Sequence, residues 1–148
     1  MLKIKVINRI DFSAVENMNL QKDLEKIAQN IIIPDIERGI DSGVAIVGGQ
    51  LPHNEPATIK RKGHSRQLIE TGKLKSSFFY KTSGKNKVII SISGNRKAIG
   101  GYLQDGIMTK SGSKQYVFFG ISKDAEDGAR DYMNKRISEV CKNASGKR

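Results

Sequence analysis

At the start of the chain, Leu2, Ile4 and Val6 alternate with Lys3 and Lys5. This period of two predicts a strand over Leu2–Asn8 with one wet face. Asp11 or Ser13 then offers a side-chain oxygen to cap a helix. From Ala14 to Arg38 the spacing changes: Leu20, Leu24, Ile27, Ala28 and Ile31 recur at steps of three and four, with Lys22, Asp23, Glu25 and Lys26 on the opposite face. That is an amphipathic helix. Pro34 lacks a backbone donor, which predicts a kink or break there and a further turn or two over Asp35–Ile40.

From Asp41 to Gly72 the pattern dissolves into Gly43, Gly48, Gly49, Pro52, Pro56, Gly63 and Gly72, and residues 41–70 are expected to be a long, irregular, flexible loop. Strands are predicted at Leu74–Thr82 and Lys87–Ser93, joined by the polar Ser83-Gly84-Lys85-Asn86. A short helix follows at Ala98–Asp105, a Ser/Gly/Lys loop at Thr109–Lys114, and a strand at Gln115–Ile121. Ser122 ahead of Asp124 and Glu126 signals the start of a closing helix. Its apolar stripe is Ala129, Tyr132, Met133, Ile137 and Val140, and its polar end, 143–148, is expected to fray. The order predicts one α+β domain over 1–148. Its expected form is an antiparallel sheet of about four strands, with the long N-terminal helix and the C-terminal helix packed on it.

Hydrophobic residues make up 37% of the 148 positions and mean hydropathy is -0.45. That is low for a self-sufficient globule and suits a chain that finishes burying itself against neighbours. The net charge of +11 is concentrated in the middle: residues 57–97 hold eleven Lys/Arg against Glu70 alone. Such a stretch can face nucleic acid, an acidic protein or solvent. The lone Cys141 excludes an internal disulfide framework and reads as a small apolar residue on the last helix, in a reducing compartment. No segment has the length of a membrane span or the pattern of a signal peptide, so a soluble, intracellular product is expected.

The residue types needed for catalysis are not grouped. His53 and His64 have no Cys or carboxylate at ligand spacing and read as loop residues. Val47-Gly48-Gly49 and Ile99-Gly100-Gly101 lack the Lys-Ser/Thr ending of a phosphate loop and read as turns. No Gly-x-Ser-x-Gly elbow is present. Metal-dependent phosphate chemistry needs carboxylates, and the basic middle offers only Glu70. The chain is therefore expected to be no enzyme, with no catalytic residue, metal ligand or cofactor. Phe78, Phe79 and Tyr80 between Lys75 and Lys81 make a weak base-stacking pattern, so a small basic nucleic-acid-binding protein using 57–97 is the alternative reading. Phe78 and Tyr80 share a strand face that packing would equally claim.

Residues Leu51-Pro52-His53-Asn54-Glu55-Pro56-Ala57-Thr58 lead through the basic run to Leu68-Ile69-Glu70-Thr71-Gly72-Lys73-Leu74-Lys75-Ser76-Ser77. This resembles the proline loop followed by L-I-x-T-G-x-L-x-x-S in tail-completion and virion-morphogenesis proteins, the neck proteins of Mu-like and related long-tailed phages. Tyr102-Leu103-Gln104-Asp105-Gly106 and Phe118-Phe119-Gly120-Ile121-Ser122 match that family's later aromatic-Gly and Phe-strand elements. The likeness runs from roughly residue 20 to 140. The chain departs from the family at Met108–Lys114, a Ser/Gly/Lys loop in place of an arginine-containing proline-rich piece, and at Leu103-Gln104-Asp105, which replaces a His-Gln pair.

The resemblance implies a structural virion protein of the head–tail neck, assembled in the bacterial host cytoplasm. It further implies a homo-oligomeric ring, expected as a hexamer, that meets other neck, connector and tail proteins. On that basis Pro52, Pro56, Lys60, Arg61, Lys62, Arg66, Tyr102 and Phe119 are interface candidates, and Thr71-Gly72 is a structural turn. Lys85, Lys87, Arg96 and Lys97 are candidates for a positive lumen that attracts packaged DNA without reading its sequence.

Overall fold

The structure is a computed structural model that describes residues 18–84 and 86–146. The strand expected at Leu2–Asn8, the caps Asp11 and Ser13, residues 14–17 of the expected long helix, Lys85 and residues 147–148 lie outside the described residues, and residues 18–20, expected in that helix, precede its start.

The amphipathic run folds as α1 (Gln21–Ile27), a π-helical turn (Ala28–Ile32) and α2 (Ile33–Ser42), one continuous path through Pro34. Of the kink or break expected at the proline, the break does not occur, and the helix passes through by way of a bulge. The Ile33 N–H donates five residues back to the Ala28 carbonyl. Widening the turn just before the proline relieves the collision between its ring and the carbonyls of the preceding turn. Gly43, at φ +68, then ends the path in a left-handed cap.

Asp23 is buried at 5% exposure, although its position suggested the wet face. The last helix, α5 (Lys123–Ser145), covers it. Tyr132 Oη donates to Asp23 at 3.0 Å, and Arg136 Nε lies 3.3 Å from its carboxylate. A buried carboxylate needs such partners to offset its lost hydration. Ser122 caps α5 by accepting from the Ala125 N–H at 3.1 Å, and its hydroxyl donates to Asp35 on α2 at 2.6 Å. α5 remains helical through Ser145, into the stretch expected to fray.

The fold is mixed helix and sheet. Its strands form two separate antiparallel ribbons among the described residues, not one sheet of four. β1 (Phe78–Thr82) pairs with β2 (Val88–Ile92), setting Phe78 opposite Ile92 and Tyr80 opposite Ile90. A short 3-10 turn at Lys75–Ser77 occupies the first part of the strand expected from Leu74. Helix α4 (Arg96–Asp105) packs on β2, and Gly100 permits the approach: a Cβ there would lie 2.7 Å from Ile92 Cδ1. The expected loop at Thr109–Lys114 is instead the hairpin of β3 (Ile107–Thr109) and β4 (Gly112–Lys114).

Residues 115–121 form no ladder, contrary to the expected strand. Their backbone groups are taken one by one. Ile46 N–H donates to Val117 O at 2.7 Å, and Tyr116 N–H to Leu103 O at 2.8 Å. The Gln104 amide accepts from the N–H groups of Phe118 and Phe119 and donates to Phe119 O. One side chain on a helix does what a neighbouring strand would have done.

This segment also delivers Tyr116 and Phe118 to the core, where they meet Ile36, Ile40, Leu51, Leu74 and Ile92. Phe78 packs edge-on against Phe118 and stacks on Phe119. Leu51 is fully buried, so residues 41–70 are anchored at that point. They also carry helix α3 (Pro56–Lys62). Pro56 begins it with a preset φ, Lys60, Arg61 and Lys62 face its negative end, and Gly63 at φ +78 closes it.

Candidate functional site

Two outward surfaces share no lining residue. The first is built on the turn that leaves α2. A bridge between Val44 and Gln50 closes the turn, and Gly48 and Gly49 take positive φ within it. That geometry leaves Val47 at the tip, 80% exposed. Ile121, 61% exposed, lines the same groove, because the bond from the Ile46 N–H to the Val117 carbonyl ties the 115–121 segment to the turn on its way to the α5 cap. A groove of about 580 Å³ runs between the turn and the start of α5. Its charged rim is Asp35, Asp124 and Glu126 against Arg38 and Lys123.

The second is a cleft of about 520 Å³ between α3, the 68–74 segment and α4. Leu68, Leu103, Ile107 and Tyr116 supply apolar wall, and Arg61, Lys62, Lys73 and Arg96 outnumber Glu55 and Glu70. Arg61 is paired with Glu70. Lys62 donates to the Arg66 carbonyl at 2.8 Å, and burial pushes its ammonium below the usual value. Glu55 is a fastener. Lys114 Nζ lies 2.8 Å from its carboxylate, and the hydroxyls of Ser111 and Thr109 donate to it. Those hydrogen bonds, from Lys114 first and Ser111 next, hold its pKa down to about 2. The β3–β4 hairpin is thereby latched to the segment before α3.

The interface candidates separate. Arg61 and Lys62 line the cleft, while Lys60 points to solvent and Arg66 is paired with Asp41 at 3.4 Å. Pro52 is half-buried, and Pro56 is exposed at the start of α3. Tyr102 is 69% exposed on α4, whereas Phe119 spends one ring face on Phe78. Thr71 and Gly72 lie on the cleft wall, with Gly72 at φ +74. The lumen candidates among the described residues do not form one row: Arg96 joins the cleft, Lys97 lines a smaller groove beside Phe119, and Lys87 is exposed near the hairpin turn.

Sequence reasoning missed Val47, Ile121 and Glu55. An aliphatic residue directly before Gly48-Gly49 is a readable turn-tip signal. The partners of Glu55 lie 54 and more residues away, and no local pattern announces them. No gathering of three or more His, Cys, Asp or Glu residues suited to a metal occurs among the described residues. None of their helices is long and apolar enough to cross a membrane.

The chain matches no family model, no curated protein and no solved structure in the comparisons made with them.

Proposed function

We propose that this chain is a structural subunit of a tailed-phage virion, part of the neck between head and tail, and that it works by closing into a ring. One observation carries the reading: the molecule presents two unlike outward surfaces, the Val47–Ile121 turn and the basic cleft, with no residue in common. A head-to-tail ring requires two different patches on each subunit, since each copy must both offer and receive. The proline-loop and Thr-Gly-x-Leu run, followed by the Phe-strand element, supports the placement in the neck by resemblance. Large apolar side chains left in water, with Val47 and Met108 the most exposed, fit a surface awaiting a partner.

Electron microscopy of particles made without the protein tests the role. Loose tails beside filled heads are expected, and normal virions would remove it. The second reading, nucleic-acid binding, is favoured by the four cations around the cleft. It predicts affinity for DNA that falls steeply with added salt.

A further inference from the structure

We propose that the two surfaces are partners: the Val47–Ile121 turn of one copy docks into the basic cleft of the next. This rests on the assembly reading and names the contact that performs it.

The charges of the two surfaces are complementary. The rim beside the turn holds three acids against two bases, and the cleft holds four bases against two acids. Much of that charge is already matched internally: Arg38 with Asp35, Arg61 with Glu70, Lys123 with Asp127 and Arg130 with Glu126. Among the described residues, Asp124 on the first surface and Lys73 and Arg96 on the second have no ion-pair partner within the chain. These are the groups that a second copy can pair, and opposite charges across an interface set its register and speed encounter.

The apolar parts correspond as well. A valine at the tip of a glycine turn, four-fifths exposed, buries little of its surface in the isolated chain. The cleft offers Ile99, itself partly exposed, beside Leu103 and Ile107, between the walls that carry the cations. A projecting side chain entering an apolar-floored cleft with a charged rim is the arrangement in which a few residues carry most of the binding energy. Docking leaves one free turn and one free cleft at the ends of any chain of subunits, so growth continues until it closes.

Sedimentation velocity on the whole chain, from low to high micromolar concentration, tests this directly. The wild type is expected to self-associate, and more weakly as salt rises. Val47→Asp and Ile121→Asp disable the turn, and Lys73→Glu with Arg96→Glu disables the cleft. All four sites are solvent-accessible, so thermal melts should stay near the wild type. Each variant alone is expected to lose association by about tenfold or more. A mixture of a turn variant and the cleft variant keeps one intact pair of surfaces and is expected to give a one-to-one dimer and nothing larger.

Wild-type protein that stays monomeric throughout overturns the proposal, as do folded variants that assemble like the wild type. Cleft variants that lose binding to a DNA oligonucleotide while their self-association is unchanged would identify the cleft as a nucleic-acid site and overturn it too. The neck role fails separately: if the contact forms as described but virions lacking the protein join heads to tails normally, the interface stands and the neck assignment falls.

Discussion

The β1–β2 ribbon joins the body through Phe78 and Ile92, which reach Phe118 and the core, whereas the β3–β4 hairpin is fastened to residues 53–55 by the carboxylate of Glu55 and the ammonium of Lys114. Both are short antiparallel pairs, and neither could stand alone in water. Apolar attachment depends on area removed from water and on close packing, so it is indifferent to pH. Polar attachment depends on the ionisation of one group and is reversible. The second ribbon also sets Ile107 against the core, so loss of the Glu55 latch should loosen it without freeing it, whereas the first has its main hold in the core itself.

The largest effect should come from the apolar side. Phe118→Ala empties the point where the first ribbon, α4 and the helical path converge, and should cost about 3–5 kcal/mol in denaturant unfolding. A loss below about 1 kcal/mol would show that Phe118 is not the anchor. Gly72→Val comes next. A Cβ there meets open space, so its cost is backbone strain at positive φ, about 1–3 kcal/mol, and an unchanged melting curve would show that the turn tolerates another conformation. Gly100→Ala should cost about 1 kcal/mol net, the clash with Ile92 Cδ1 outweighing the gain in helix propensity. Ile92→Val removes that atom, so the pair should be coupled in a double-mutant cycle, and strict additivity would contradict the close approach.

The smallest and most local effect belongs to Glu55. Its folded pKa of about 2 lies below the ordinary 4.5. The folded state therefore holds the proton less tightly than the unfolded one, and the stabilisation is present above about pH 4.5 and lost as pH falls toward 2. Amide protection over 107–114 should decline through that window while that of 78–92 persists. Glu55→Gln should remove the pH dependence. Equal acid sensitivity in both ribbons would erase the contrast between them.

Elements with a local cause were legible. The spacing of Leu24, Ile27 and Ile31 gave a helix, the alternation around Ile90 a strand, and Ser122 a capped start. Helix α3 hides in the composition, because Pro56 and Gly63 look like loop punctuation until their seven-residue separation is read as a start and a stop. The apolar, aromatic run Tyr116–Phe119 misled for a physical reason: it has the composition of a strand, but the side chain of Gln104, which precedes Phe118 and Phe119 on a separate helix, takes the place of the ladder. Of the candidate surface, the cations of the cleft were visible as a basic stretch, yet nothing local separates Arg96 from Lys97, which face different grooves.

The sequence by itself determined the periodic elements, the scarcity of apolar material and the location of the excess positive charge, because each depends on residues adjacent along the chain or a turn apart. The tertiary structure alone decided that Asp23 is buried, that Glu55 latches a hairpin, and that the basic stretch is divided between a cleft and solvent. Those outcomes depend on groups brought together from distant positions. Desolvation and hydrogen bonding act on what is near in space, and a linear pattern carries no record of it.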